Sequence, residues 1–368
     1  MRKIVAAVDS FKGSASSKDI CHAVALGCHD IQPHCEVIEI PIADGGEGTL
    51  DSLAGAIGAV TTVSLNATDA IGRPLPVHYL VDANGTAYIE LATAAGLPHL
   101  KDEERNPLYT TTFGVGTMIT DALQRGCSHI VLGIGGSATN DAGIGILVAL
   151  GYRFRDGNGN ELPPCGASLT KIATITAPVP RPTIRLTVLA DVENPFCGPQ
   201  GAAYIYALQK GATPEMCQSL DLGMQHFANI AEGFTGVKLN QIIGGGAAGG
   251  VGAAMVAFLG AEIKSGIDFM LDRAGFDTAI EYADMVITGE GRLDSQSGQG
   301  KAVSGIIRSC AAKGIPVVAI AGAIEEGVQI EGLHAAYCIN PAGLPLSEAM
   351  KTEVTLRNIR NTLHQILR

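Results

Sequence analysis

The stretch Ile4-Val5-Ala6-Ala7-Val8-Asp9-Ser10-Phe11-Lys12 decides the fold class of the chain. Five consecutive apolar residues predict a buried strand, and the polar residues that follow predict a loop at its carboxyl end. Downstream, Ser16 or Ser17 can cap a helix that runs to about Ile31. The stretch Val37-Ile38-Glu39-Ile40 then predicts a second strand. This alternation of strand and helix is typical of a parallel sheet that helices cover on both faces.

The same pattern returns near the end of the chain. Residues 285–287, 316–320 and 335–339 are apolar and predict three further strands. A helix is expected around residues 302–312, between the first and the second of these strands. The two ends of the chain therefore predict one parallel sheet.

The middle of the chain has a different character. Alternating strands flank Asp82-Ala83-Asn84-Gly85, and Asn-Gly is a strong hairpin signal because both turn residues must tolerate positive φ. A second hairpin is expected around Asp156-Gly157-Asn158-Gly159. Antiparallel elements between two parallel-sheet halves predict a domain inserted into a doubly wound one. We expect residues 1–68 and 278–368 to form one domain and residues 69–277 to form the inserted domain.

Composition excludes several classes of protein. The 368 residues carry 36 acidic and 25 basic side chains, a net charge of −11 that argues against a nucleic-acid partner. Hydrophobic residues make up 46% and charged residues 17% of the chain, which excludes a disordered protein. No apolar run approaches the roughly 20 residues that span a membrane, so we expect a cytoplasmic protein without a membrane partner. The nine scattered cysteines include no C-x-x-C pair, which argues against a zinc module or a disulfide framework.

Five loops rich in glycine or aspartate follow apolar strands or precede helices. They cover residues 9–14, 43–49, 133–141, 244–250 and 288–294. Loops at the carboxyl ends of parallel strands bind ligands, and exposed amides at helix starts bind phosphate. The loops therefore predict a site for an anion or a metal–phosphate complex. One of them also satisfies G-x-G-x-x-G, which keeps a nicotinamide-dependent dehydrogenase open as an alternative.

Taken together, the motifs resemble the bacterial class I glycerate kinases. They run in order along the chain at residues 9–12, 41–49, 133–141, 191–195, 246–250 and 288–296. The resemblance implies an α/β protein in which a flavodoxin-like, doubly wound parallel-sheet domain is interrupted by a second, inserted α/β domain with a mixed sheet. It implies an active site in the cleft between these domains. It also implies transfer of the γ-phosphate of ATP to D-glycerate with Mg²⁺, usually giving 2-phosphoglycerate.

The resemblance and the chemistry of phosphoryl transfer suggest roles for single residues. Asp191 is expected to deprotonate the acceptor hydroxyl and Lys12 to neutralise charge on the transferred phosphoryl group. The predicted substrate-binding residues are Ser10, Arg105, Ser137 and Asn194, with Arg105 gripping the carboxylate. The predicted nucleotide-binding residues are Gly135, Gly136, Gly245, Gly246, Gly249 and Gly289. The candidate Mg²⁺ ligands are Asp44, Glu290 and Asp294.

Several alternatives stay open at the level of the sequence. Asp191 precedes a turn at Asn194-Pro195, and its position equally suits a residue that only caps this turn. The product could be 3-phosphoglycerate, since only the shape of the pocket decides which hydroxyl reacts. A regulatory protein that binds glycerate or nucleotide without catalysis is a further possibility. The oligomeric state cannot be read from the sequence.

Overall fold

The computed structural model describes residues 1–43, 45–46, 48–294 and 302–367. The strands of this part of the chain are β1 (Lys3–Val8), β2 (Glu36–Glu39), β3 (Val60–Thr68), β4 (Pro74–Asp82), β5 (Thr86–Glu90), β6 (His129–Gly133), β7 (Arg153–Arg155), β8 (Thr174–Thr176), β9 (Arg185–Leu189), β10 (Glu262–Lys264), β11 (Met285–Leu293), β12 (Val317–Ile324) and β13 (Ala335–Cys338). The α-helices are α1 (Ser17–Ile31), α2 (Thr49–Ile57), α3 (Ala92–Ala95), α4 (Phe113–Gln124), α5 (Ile144–Ala149), α6 (Ala202–Tyr206), α7 (Pro214–Thr235), α8 (Ala247–Leu259), α9 (Gly266–Arg273), α10 (Phe276–Ala279), α11 (Ala302–Ala311), α12 (Leu346–Ala349) and α13 (Thr352–Ile366). Short 3₁₀ turns connect several of them.

The chain divides into two compact units. The first unit comprises Met1–Asp44, Asp51–Gly58 and Ser265–Arg368, and the second comprises Gly45–Leu50 and Ala59–Lys264. Among the described residues, no helix is long and apolar enough to cross a membrane.

The sheet of the first unit has flavodoxin-like topology. Its strands lie in the order β13-β12-β11-β1-β2, and every neighbouring pair is parallel. Numbered within this unit alone and taken from the β2 edge, the order is 2-1-3-4-5, which is the flavodoxin-like order. The predicted fold class is thus confirmed for this unit.

The apolar run in β1 is explained by burial on both faces of the sheet. Val5 and Ala7 pack in one hydrophobic cluster, which α9, α10 and α11 complete. Ile4, Ala6 and Val8 pack in a second cluster, with residues of α1 and α13. Since successive side chains of a strand point to opposite faces, a strand between two helical layers is apolar at every position.

The helix after β1 begins where the sequence predicts. Ser16 is the N-cap residue of α1, and its hydroxyl oxygen accepts a hydrogen bond from the backbone N–H of Asp19 at 3.1 Å. Cys21 and Cys28 lie on the buried face of the helix, where burial raises the pKa of each thiol to about 12. These cysteines serve as small apolar side chains.

One predicted loop of the first unit is wrong. Residues 288–294 were expected to leave the sheet, but β11 continues to Leu293 and pairs with Ile324 of β12. Gly289 fits this longer strand because a Cβ there would lie 2.0 Å from the carbonyl oxygen of Ile320. Gly289 therefore allows the close approach of β11 and β12, a packing role that glycine has in sheet interiors.

The second unit contains a six-stranded mixed sheet in the order β10-β9-β6-β5-β4-β3. The pairs from β10 to β5 are parallel, and β5, β4 and β3 are antiparallel. The predicted hairpin joins β4 to β5, where the Asp82 carboxylate accepts hydrogen bonds from the N–H groups of Asn84 and Thr86. The second predicted hairpin is confirmed by an antiparallel bridge between Arg155 and Glu161. The mixed sheet agrees with the predicted fold class.

Candidate active site

The first unit offers a ligand-binding edge where its strand order reverses, between β1 and β11. In open α/β sheets, ligands bind outside the carboxyl ends of the strands at this point. Val8 pairs with Gly289, and the N–H of Asp9 donates to the carbonyl oxygen of Gly289 at 3.0 Å. Asp9 therefore directly follows β1, and Glu290 is the residue of β11 that lies beside it. Two carboxylates thus stand at the edge where the fold favours a ligand.

The loop after β1 presents a cation at the same edge. Phe11 is buried and forms an antiparallel bridge with Ala15, which closes the loop into a tight turn. Lys12 lies in this turn with its side chain exposed, and Ser10 is half-buried. The turn passes close to β11, since a Cβ on Gly291 would lie 3.8 Å from the backbone nitrogen of Lys12. An anchored loop therefore places the backbone of Lys12 near the carboxyl end of β1.

The candidate metal ligands are not all brought together. Asp44 lies outside the described residues. Glu290 is half-buried within β11, whereas Asp294 follows the end of this strand. Four residues of extended chain separate the two by about 13 Å, too far for both to bind one ion directly. In the described part of the chain, no three His, Cys, Asp or Glu side chains form a metal-binding group.

The carboxylates at the strand-reversal edge nevertheless fit Mg²⁺. Asp9 and Glu290 supply hard oxygen donors at adjacent positions of β1 and β11. Mg²⁺ in phosphoryl-transfer sites is commonly held by one or two carboxylates, with phosphate oxygens and water completing the coordination. A site with few protein ligands is therefore the expected form for this ion.

In the second unit, four loops meet at the carboxyl ends of β6 and β9. The N–H of Gly135 donates to the carbonyl oxygen of Gly45 at 3.2 Å. The N–H of Gly246 donates to the carbonyl oxygen of Asn194 at 3.0 Å. Each bond joins a loop that was predicted to bind nucleotide to a neighbouring loop, and Asn194 in one of these neighbours was predicted to bind substrate.

The glycines of these loops allow backbones to approach closely. A Cβ on Gly135 would lie 2.5 Å from Cα of Gly46, and one on Gly246 would lie 2.3 Å from the carbonyl oxygen of Pro195. The predicted nucleotide-binding glycines at positions 136 and 245 lie in the same two loops. Side chains larger than hydrogen would separate the loops, so the glycines are needed for the cluster to form.

The G-x-G-x-x-G match at residues 244–249 has the wrong structural context for a dinucleotide fingerprint. That motif requires a strand before the first glycine. Here the preceding element is a 3₁₀ turn, Leu239–Gln241. The motif is therefore not a dinucleotide fingerprint, which removes the sequence observation behind the dehydrogenase alternative.

Backbone strain is concentrated where the loop after β6 meets the start of α8. Ala142 and Ala248 have φ values of +53° and +52°, in the left-handed region that non-glycine residues seldom adopt. Gly249 and Gly250 continue the left-handed run at the start of α8. The N–H of Ala142 donates to the carbonyl oxygen of Gly249 at 2.9 Å, so the two strained segments are bonded to each other. Strain of this kind clusters at ligand-binding sites.

Asp191 and Asn194 lie in the loop that follows β9. Asp191 is half-buried and lies two residues beyond the last residue of the strand. The side-chain carbonyl of Asn194 accepts a hydrogen bond from the hydroxyl of Tyr206, and its amide donates to the carbonyl oxygen of Gln200 at 3.0 Å. Asn194 thus holds the shape of the loop, and the carboxylate of Asp191 stands at the carboxyl edge of the sheet.

Ser137 is hydrogen-bonded to a buried lysine that the sequence analysis missed. The ammonium group of Lys210 donates to Oγ of Ser137 at 2.7 Å and to the carbonyl oxygen of Thr139 at 2.6 Å. Only 2% of Lys210 is exposed. Burial lowers the pKa of this lysine to about 7, and the nearby charge of Asp141 partly opposes the shift.

The carboxylate of Asp141 has a structural role. It is fully buried and accepts hydrogen bonds from the N–H and hydroxyl of Thr112 and from the N–H groups of Gly143 and Gly145. Burial raises the pKa of Asp141, and these hydrogen bonds oppose that change. Asp141 therefore fixes the end of the loop that carries Ser137.

Arg105 lies beside the turn that carries Lys210. Its guanidinium group forms an ion pair with Asp102 at 2.8 Å. The Nε atom is buried and has no hydrogen-bond partner among the residues that the structure describes. A Cβ on Gly211 would lie 2.7 Å from Cβ of Arg105, so the arginine packs directly on this turn. Arg105 thus packs on the turn from which Lys210 reaches Ser137.

Comparisons with known proteins find similarity to glycerate kinases along nearly the whole chain. The model of the glycerate kinase family matches residues 4–368. A glycerate kinase of Bacillus cereus is 40% identical over 369 residues, covering 97% of each chain. A glycerate 2-kinase of Escherichia coli is 38% identical and covers 95% of this chain and 93% of its own. The crystal structure of a glycerate kinase 2 from Salmonella typhimurium superposes with a TM-score of 0.81 at 36% identity, covering 100% of this chain and 99% of that one.

Proposed function

Because the chain belongs to the glycerate kinase family and is a kinase, we propose that it transfers the γ-phosphoryl group of ATP to a hydroxyl group of D-glycerate. One observation carries this proposal beyond the family assignment. Glycine-rich loops meet at the carboxyl ends of β6 and β9, where Lys210 donates to Ser137, and Arg105 packs on the turn that carries this lysine. Backbone amides and placed cations are what an anionic substrate needs in a protein whose net charge is −11.

In the proposed reaction, Asp191 accepts the proton of the acceptor hydroxyl. The hydroxyl oxygen then forms a bond to the γ-phosphorus, and the bond from this phosphorus to the bridging oxygen breaks, so that ADP leaves. Lys12 would neutralise negative charge on the transferred group, and Ser10 lies in the same loop. Phosphoryl transfer requires such positioning and charge neutralisation more than covalent chemistry.

The glycine loops would hold the phosphates of the nucleotide through backbone N–H groups. Gly135 and Gly136 lie in one of these loops, and Gly245, Gly246 and Gly249 lie in another. Glu290 would hold Mg²⁺ at the strand-reversal edge, where the ion would neutralise phosphate charge. Arg105 would grip the carboxylate of glycerate through its guanidinium group.

We propose that the hydroxyl on C2 is the acceptor, giving 2-phosphoglycerate. The support is the Escherichia coli relative, which is named a glycerate 2-kinase and is 38% identical to this chain. Enolase acts on 2-phosphoglycerate and not on 3-phosphoglycerate, so a reaction coupled to enolase distinguishes the products. Immediate formation of phosphoenolpyruvate supports the C2 hydroxyl. Formation only after addition of phosphoglycerate mutase would instead identify the C3 hydroxyl.

The activity itself is tested by release of ADP from MgATP in the presence of D-glycerate. We expect release to depend on D-glycerate and to stop when Mg²⁺ is chelated. A binding protein without catalysis would bind glycerate and nucleotide but release no ADP. Release that is independent of glycerate would indicate a different acceptor.

A further inference from the structure

Lys210, the buried lysine of the second unit, contacts the loop after β6 directly. Lys210 ends a 3₁₀ turn, Leu208–Lys210, and Gly211 follows with φ of +90°. The left-handed glycine reverses the chain and lets the turn pack on the backbone of Arg105. From this position the side chain reaches Ser137 and Thr139, which belong to the loop after β6.

The chemistry of the ammonium group fixes the direction of the hydrogen bond to Ser137. While it is charged, which with a pKa of about 7 means at and below neutral pH, Lys210 has three donor protons and no acceptor, so Oγ of Ser137 must be the acceptor. The proton of the serine hydroxyl is then free to donate elsewhere. Without the lysine, the same hydroxyl could turn and donate to a neighbouring carbonyl group, as serine often does.

Burying an ammonium group is costly, which makes a purely structural role a poor explanation. Lys210 is 2% exposed, and no direct ion pair with a carboxylate is found for it in the described residues. Its two oxygen partners only partly replace water. A buried charge of this kind is more commonly retained where it serves a functional site.

We propose that Lys210 is a positioning residue of the phosphoryl-transfer site, which orients the hydroxyl of Ser137 to donate a hydrogen bond to an anionic oxygen of the bound substrate. This inference rests on the proposed function, since it requires an anionic ligand at the loop of Ser137. A carboxylate oxygen of glycerate and a phosphate oxygen of the nucleotide have the same acceptor chemistry. Separate KM values for the two substrates distinguish them.

The test measures kcat and both KM values for wild type, Ser137→Ala, Lys210→Met and the double variant. We expect each single variant to raise the KM of one and the same substrate by roughly 10- to 100-fold, the effect of losing a hydrogen bond to a charged group. The double variant should be no worse than the more affected single variant, because the serine donor depends on the lysine. Lys238→Met, which removes an exposed lysine of the same unit, should leave both KM values unchanged.

Three results would overturn the proposal. The first is multiplicative KM effects in the double variant, and the second is a rise in KM for different substrates in the two single variants. The third is a Lys210→Met enzyme with a lower melting temperature but wild-type KM values, which would indicate a structural lysine. If Lys210→Met does not fold, the pH profile of that KM decides: it should rise in wild type as the pH passes the lysine's pKa of about 7 and stay level in Ser137→Ala, and equal profiles in the two proteins overturn the proposal.

Failure of the proposed function gives a different result. It would appear as a wild-type protein that releases no glycerate-dependent ADP. In that case, calorimetric titration with ADP and with D-glycerate tests the inference directly. Loss of affinity for one of these ligands in both Ser137→Ala and Lys210→Met supports it, and unchanged affinity for both ligands overturns it.

Discussion

The ammonium group of Lys210 donates a hydrogen bond to the hydroxyl oxygen of Ser137 at 2.7 Å, inside the second unit and almost out of reach of solvent. This contact joins a 3₁₀ turn to the loop that follows β6. It places the donor group of Lys210 next to Ser137, which the sequence predicted to bind substrate. This hydrogen bond affects both the stability of the fold and the binding of substrate.

The buried lysine should make stability depend on pH. The pKa of Lys210 is about 7 in the folded protein and near the ordinary lysine value of 10.5 when the chain is unfolded. Between these values the unfolded state binds more protons, so this group makes the free energy of unfolding rise with pH from about 7 to about 10. The rise is at most about 5 kcal/mol, at roughly 1.4 kcal/mol per pKa unit. Below pH 7 the contribution is lost.

Urea unfolding of wild type and Lys210→Met at pH 7 and pH 9.5 measures this effect. The stability difference between the two proteins should shift in favour of wild type at the higher pH. Lys238→Met is the matched control, because its lysine is exposed. A pH-independent difference between wild type and Lys210→Met would show that Lys210 is not titrating in this range.

Asp191→Asn tests the proposed general base. Asparagine keeps the size of the side chain and its capping ability but cannot accept the proton. We expect kcat to fall about 10²- to 10⁴-fold with little change in melting temperature. Glu193→Gln, two residues further along the same loop and exposed, should keep wild-type kcat. An Asp191→Asn enzyme with more than about a tenth of wild-type kcat would contradict the role.

Lys12→Met tests charge neutralisation at the end of β1. Phe11 and Ala15 hold the turn closed, so the exposed lysine can be replaced without unfolding the loop. We expect kcat to fall about 10²- to 10³-fold, as when one donor to a developing charge is removed. The control is Lys18→Met on α1, which removes another exposed charge of the same unit. Equal activity of the two variants would argue against a role for Lys12.

Gly249→Ala tests whether the contact between the start of α8 and the loop after β6 needs glycine. A Cβ there would lie 2.3 Å from the carbonyl oxygen of Thr139, which also accepts a hydrogen bond from Lys210. We expect a loss of about 1–3 kcal/mol in unfolding free energy, together with a raised KM. Gly233→Ala is the control, because a Cβ at this position in the last turn of α7 meets no atom within 4 Å. This control should gain about 0.5–1 kcal/mol, and a gain in both variants would contradict the packing argument.

Local patterns in the sequence predicted much of the fold. The apolar run in β1 and the serine cap of α1 depend on residues that are close in sequence, and so does the Asn-Gly turn between β4 and β5. The end of β11 was mispredicted because its glycines also suit a loop. Only the partner strand, β12, reveals that they lie in a sheet.

The candidate site was predictable only where motifs mark it. The loops after β6 and β9 carry recognisable glycine and aspartate patterns, and both lie at the predicted edge of the sheet. Lys210 carries no such pattern, since Leu208-Gln209-Lys210-Gly211 resembles an ordinary surface turn. Its importance arises from a contact 73 residues away in sequence. Similarly, the hydrogen bond from Tyr206 to Asn194 shows that this asparagine holds the shape of its loop. The motif at residues 191–195 alone does not predict this contact.

The central claim is that this chain phosphorylates glycerate at the expense of ATP. Phosphorus NMR of the protein with D-glycerate and MgATP tests it most directly, because every phosphorus-containing product is seen at once. We predict one phosphoglycerate resonance that grows in step with ADP, without inorganic phosphate. Unchanged ATP, or ATP converted to ADP and inorganic phosphate at the same rate with and without glycerate, would contradict the claim.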